Sequence, residues 1–257
     1  MNILSGVAGI VMGLVLGIFG SGGSIITTPA LLYLAHLPPK SAIATSLGVI
    51  AITAAMATFQ HWRRQNVNLA IIAIFSVFSV SGAYLGARLG THLSVVTQLV
   101  IFACAMYISA FKMLRPMPVV PARQSTVGAE SRIGARGVMR IGFIGVGVGV
   151  LAGLVGVGGG FLIVPSLVLL AGLSIHEAIG ASVAIVTLNA TSGFLGYVGR
   201  IPINYSLVFV FALLAMVGSV MGMRLAHRLS SHHLKRIFGV FLVCAASGIL
   251  LKNLVLA

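Results

Sequence analysis

Apolar residues run through this chain in eight long stretches, near residues 3–35, 42–60, 67–87, 96–114, 141–173, 178–199, 203–223 and 237–256. A helix needs about 20 apolar residues to cross the hydrocarbon core of a bilayer, so each stretch is long enough to span. The stretches at 3–35 and 141–173 exceed what one crossing needs. Polar residues collect between the stretches, and the only extended polar segment, 115–140, holds Pro116, Pro118, Pro121 and five arginines. That composition predicts a linker loop between two transmembrane units, 1–114 and 141–257.

The two units repeat one another. Gly17, Gly20, Gly22, Gly23 and Pro29 recur as Gly153, Gly156, Gly158, Gly159 and Pro165, every pair 136 positions apart. The same offset relates Ala42 to Ala178, Ser46 to Ser182, Arg64 to Arg200, Asn68 to Asn204, Gly82 to Gly218, Gly86 to Gly222 and Arg88 to Arg224. An ungapped offset of this extent reads as a tandem duplication of four apolar stretches.

Positive charge orients the units, because Lys and Arg in short loops stay on the cytoplasmic side. Arg63, Arg64 and the arginines of the linker lie opposite Lys40 and Arg88 in the first unit. In the second, Arg224, Arg228, Lys235 and Arg236 occupy the loop equivalent to that of Arg88, opposite Arg200 and Lys252. The bias reverses, so the units are expected to be inverted, with a cytoplasmic linker and both termini outside. Inversion needs an odd number of crossings per unit, which follows if each opening stretch enters and returns as a hairpin at its glycines. A single crossing there would instead give parallel units with both termini inside.

Composition supports the membrane assignment. A hydrophobic fraction of 59%, a charged fraction of 7% and a mean hydropathy of +1.14 leave too little polar surface to coat a soluble globule. The net charge of +14 is spread over the loops, where topology explains it, so no nucleic-acid partner is expected. The N-terminus lacks a basic leader region, so residues 3–20 are expected to be retained. Cys104 and Cys244 do not correspond under the repeat and read as buried small hydrophobes. His61, beside Trp62, Arg63 and Arg64, reads as an interfacial anchor.

Carboxylates are almost absent: there is no Asp, and the two Glu residues are Glu130 in the linker and Glu177 at the mouth of a helix. Cation pathways, paired-carboxylate catalysis and metal sites all need such groups, so no catalytic residues, metal or cofactor are expected. An anion fits better. A glycine cluster that opens a short helix exposes backbone N–H groups and the positive end of a helix dipole, which hold negative charge. The candidates are Ser21, Gly22, Gly23 and Ser24 in one unit and Gly158, Gly159 and Gly160 in the other, with Pro29 and Pro165 as helix breaks. Two such ends would together supply roughly 1 to 4 kcal/mol, sufficient for weak, releasable binding. Ser46, Ser182 and Asn189 lie at membrane depth in the following helices and could replace water around an oxyanion. The competing fate of such hydroxyls is a bond to a carbonyl one turn back. Gly9, Gly13 and Gly17, with Gly145, Gly149 and Gly153, form small-residue ridges suited to helix packing.

Two apolar units, each with the phrase G-x-x-G-x-G-G-x(5)-P in its opening stretch followed by a small-residue helix, resemble the TauE/SafE or sulfite exporter family of membrane anion transporters. The resemblance covers nearly the whole chain and departs from it at Ser24, which stands opposite Gly160. It implies secondary transport of a small anion such as sulfite, thiosulfate or an organosulfonate across the cytoplasmic membrane. The expected protein is an all-α, multi-pass transporter of two inverted repeats, with the lipid bilayer and a small anion as partners. A channel-like facilitator for a small neutral solute is the alternative.

Overall fold

The computed structural model describes residues 3–19, 27–28, 30–32, 35–63, 69–114, 135–155, 159–170, 173, 175–226 and 231–255. Nine helices run through them: α1 (Ile3–Phe19), α2 (Pro39–Arg63), α3 (Leu69–His92), α4 (Val95–Leu114), α5 (Ala135–Val155), α6 (Gly160–Leu170), α7 (Ile175–Tyr197), α8 (Tyr205–Ala226) and α9 (Ser231–Val255). Residues 27–28 and 30–32 are also helical. Helix is the element that satisfies its own backbone, as an apolar surround demands. The spans Pro39–Trp62, Ile72–His92, Glu177–Tyr197 and Tyr205–Ala226 are long and apolar enough to cross a membrane. Their outward faces carry large apolar side chains such as Val77, Leu195, Phe209 and Val217, the surface lipid requires.

Several helix ends follow from local chemistry. Asn204 caps α8, its Oδ1 accepting from the Leu207 N–H at 3.1 Å. Gly199, at φ 77°, closes α7 in the left-handed conformation, with Arg200 N–H bonded to Tyr197 O at 3.1 Å. Two ends lie outside their apolar stretches. α5 begins at Ala135, inside the expected linker span, and α9 begins at Ser231, inside the expected basic loop. Helix propagation does not stop where hydropathy falls, because Arg and Lys are good helix formers.

The packing is reciprocal between the units. On α1, a Cβ placed at Gly13 would lie 1.8 Å from Ala215 O of α8, and one at Gly17 2.2 Å from Ser219 O. On α5, the equivalent Gly149 and Gly153 meet Ser79 O and Ala83 O of α3 at 2.0 and 1.9 Å. From the other side, Gly218 and Gly222 meet Ile10 O and Leu14 O, while Gly82 and Gly86 meet Val146 O and Val150 O. Each of these eight glycine-to-carbonyl contacts has its counterpart 136 positions away in the other seam. Each opening helix therefore packs on the third long helix of the opposite unit, and a side chain at any of these glycines would hold the backbones apart.

These contacts also give direction. Residue numbers rise together along α1 and α8, and along α5 and α3, so both pairs are parallel. α7 and α3 are parallel too: Asn189 meets Ser79, Ser192 meets Val80 O, and Gly196 meets Tyr84 and Ala87. α2 and α7 instead cross antiparallel, with Gly48 against Phe194 and Thr58 bonded to Thr187. Their crossing falls near Thr53 and Asn189, themselves 136 positions apart. α5 and α7 thus share a direction, so the chain from Val155 to Ile175, including α6, has to travel back between them.

Candidate functional site

The interruption after α5 is made by glycine. Gly159, at φ 74°, takes a conformation that side chains rarely adopt, and a Cβ there would lie 2.7 Å from Ala152 Cβ. This turn lays the start of α6 against the last turns of α5, with Leu162 and Ile163 N–H groups bonding back to Gly159 O at 2.9 and 3.1 Å. Gly159 and Gly160 are buried. The expected break at Pro165 is corrected: Pro165 lies inside α6 and does not end it. Proline removes one N–H but keeps a helical φ, and a short helix packed in a membrane bundle tolerates the loss. Ser21, Gly22, Gly23, Ser24, Pro29 and Gly158 lie outside the described residues.

Ser46 and Ser182 are fully buried, and both take the local bond. Ser46 Oγ donates to Ile43 O at 2.7 Å, and Ser182 Oγ donates to Ile179 O at 2.8 Å. With their protons held by the backbone, neither serves as a free donor here, contrary to the role expected of them. Ser46 has a different use: it accepts a bond from Thr28 Oγ1 at 3.0 Å and so ties the helical segment after the first glycine cluster to α2.

Asn189 differs. It is fully buried, its Oδ1 accepts from Ser79 Oγ at 2.8 Å, and its Nδ2 has no partner among the described residues. An unpaired buried amide donor costs about 1 to 3 kcal/mol, so its retention calls for an explanation. Its position offers one. Ser79 lies against Gly149, while Gly193, one turn beyond Asn189 on α7, comes 3.5 Å from Gly153 Cα by its Cβ position. Gly159 packs on Val148 and Ala152 of the same α5 turns. The start of α6, Ser79 and Asn189 therefore stand at one depth, beside the α2/α7 crossing.

Among the described residues, Thr45 Oγ1, Ser76 Oγ, Ser219 Oγ and Gln98 Oε1 are further buried polar atoms without a partner. At the end of α5, Tyr197 donates to Leu154 O at 3.3 Å, and nearby Gln98 Nε2 donates to Gly90 O at 2.6 Å. Sequence inspection missed Ser79, Ser76, Ser219 and Tyr197. Applying to the third helix of each unit the criterion used on the second, a polar group at membrane depth, would have found the serines. Two further expectations are corrected. His61 is buried at 6% exposure while Trp62 beside it is 64% exposed, so of these two Trp62 faces outward and His61 does not. Cys104 and Cys244 are exposed, because an apolar outer face accepts a small hydrophobe as readily as the interior does.

A bundle of apolar helices with lipid-compatible faces and an interrupted opening helix defines a multi-pass membrane protein. Residues 5–249 match the family described as Sulfite exporter TauE/SafE. The chain belongs to this family of membrane transporters. Over 249 residues it is 29% identical to a "Probable membrane transporter protein" of Xylella fastidiosa, covering 96% of this chain and 94% of that relative. It is 26% identical over 240 residues to "Probable membrane transporter protein YdhB" of Bacillus subtilis, covering 93% and 96%. "Probable membrane transporter protein MJ0441" of Methanocaldococcus jannaschii is 24% identical over 246 residues, covering 89% and 88%. No solved structure gives a significant match.

Proposed function

We propose that this protein is a secondary transporter that carries a small sulfur oxyanion, such as sulfite, thiosulfate or an organosulfonate, across the cytoplasmic membrane by alternating access. The observation that carries the reading is the unpartnered Asn189 donor at the level of the α6 start, in a chain with only two acidic residues. On this reading the glycine clusters expected from the sequence, Ser21 to Ser24 and Gly158 to Gly160, would supply further backbone donors to the anion.

The units 1–114 and 141–257, joined by the linker at 115–140, are inverted in the membrane. Antiparallel crossing of the equivalent helices α2 and α7 supports this, since an axis exchanging them lies across the helices and hence in the membrane plane. Charge bias then puts the linker in the cytoplasm and both termini outside. The bodies that move are not the sequence halves. The glycine seams lock α1 to α8 and α5 to α3 backbone against backbone across the two units, so motion falls at the α2/α7 crossing, where Gly48 meets the Phe194 side chain and Gly193 the Leu47 side chain.

The test is uptake by purified protein in proteoliposomes, comparing sulfite, thiosulfate, methanesulfonate and phosphate with and without a proton gradient. Saturable uptake of a sulfur oxyanion is expected. Uptake of neutral solutes with no anion flux would overturn the reading.

A further inference from the structure

We infer that Ser79 and Asn189 form a one-sided specificity element, in which Ser79 orients the Asn189 amide so that Nδ2 donates to a deprotonated oxygen of the transported anion; the inference rests on the transport reading above. The two residues are 110 positions apart and belong to different units, yet Ser79 Oγ donates to Asn189 Oδ1 at 2.8 Å with both side chains fully buried. A bond that served only to join α3 to α7 would use the amide at one end and leave the other in contact with water or a carbonyl. Here the other end has neither a partner among the described residues nor exposure.

The repeat sharpens this point. Thr53 stands where the first unit matches Asn189, and Ala215 where the second matches Ser79. Thr53 closes its own hydroxyl onto Val49 O at 2.8 Å, and Ala215 offers no polar group. The helix packing is reciprocal, but the donor exists on one side only. Packing symmetry therefore does not demand it, and Asn189 sits beside the crossing where a ligand reached from either face would pass. Because the Ser79 proton occupies Oδ1, the amide presents N–H and not C=O, which selects a ligand atom that only accepts. A sulfite or sulfonate oxygen is such an atom, whereas an ammonium group, which only donates, gains nothing from this donor.

The experiment uses the full chain in proteoliposomes with radiolabelled sulfite and thiosulfate as probes, beside thermal unfolding of the same preparations. Asn189→Ala is expected to raise KM by roughly 10- to 100-fold, the loss of one hydrogen bond to a charged group. Asn189→Asp, of nearly equal shape, is expected to abolish saturable uptake by placing a carboxylate where the anion sits. Ser79→Ala is expected to raise KM by about 3- to 10-fold with maximal velocity unchanged, since it frees the amide to turn without removing it. Asn189→Thr, which restores the residue of the first unit, supplies a variant whose volume the bundle already accepts at the matching position. Wild-type KM in Asn189→Ala and Asn189→Asp, or a fall in velocity and unfolding temperature with KM unchanged, overturns the inference while leaving transport intact. A wild-type protein that carries neither probe overturns the transport reading itself.

Discussion

Adding a single methyl group at Gly13 or Gly149 tests the interlocked seams directly. A Cβ at Gly13 would lie 1.8 Å from Ala215 O and one at Gly149 2.0 Å from Ser79 O, where real Cβ atoms do not come within 3.0 Å. Both obstacles are backbone, so no rotamer change relieves them. The helices have to part by about 1 Å, and a gap of that size forfeits roughly a quarter to a half of each contact along the seam. In a bilayer no hydrophobic gain offsets the loss, because lipid is as apolar as the partner helix. The expected cost of Gly13→Ala is about 3 kcal/mol, at the upper end for overpacking. At about 2 to 4 °C per kcal/mol for a chain of this size, the unfolding midpoint in detergent is expected to fall by about 6 to 12 °C. Gly149→Ala is expected to match it, since the two seams are equivalent. Gly147→Ala, on the same helix as Gly149 with no atom within 4 Å of its Cβ position, is the control. It should be neutral or stabilising by up to about 1 kcal/mol through helix propensity alone. If all three variants unfold at one temperature, the close approach of these helices is wrong.

Gly159→Ala places a side chain at φ 74° and 2.7 Å from Ala152 Cβ, so it is expected to cost at least about 1 to 2 kcal/mol and to lower anion flux, measured by unfolding and by uptake. Substituting Gly22 or Gly158 by Leu is expected to block flux while membrane insertion stays normal; normal flux in either variant would remove the glycine clusters from the site. In a background lacking Cys104 and Cys244, Thr58→Cys with Thr187→Cys places two thiols where hydroxyls now lie 3.1 Å apart, close enough for a disulfide across the α2/α7 crossing. Oxidation is expected to stop uptake and reduction to restore it, and full cross-linking with unchanged uptake would place the motion elsewhere. Reporter fusions at the C-terminus are expected to give an external signal, and a cytoplasmic one would refute inverted units.

Hydropathy and the 136-residue offset together determined the helical class, the repeat and, in the second unit, the interruption of the opening helix at its glycines. These were legible because an apolar solvent forces each backbone segment to bond within itself, so the elements are decided locally. Local chemistry was legible too, in Glu177, which stands in the first turn of α7. Hydroxyl function was less so. Ser46 and Ser182 recur under the repeat as a site pair should, but recurrence equally preserves a shared backbone bond, and the backbone took both protons.

Partners were left to the tertiary structure. A ridge such as Gly9, Gly13 and Gly17 announces a face for close packing without naming what packs on it, and the answer, α8 of the other unit, lies some 200 positions away. The Ser79 bond to Asn189 was invisible for the same reason. Hydropathy also failed to tell His61, which is buried, from Trp62, which is not, or the exposed cysteines from the core. In water, burial and apolarity go together because the solvent separates them. In lipid an apolar side chain is equally at home facing a neighbouring helix or the bilayer, so only the assembled bundle decides which residues reach its centre.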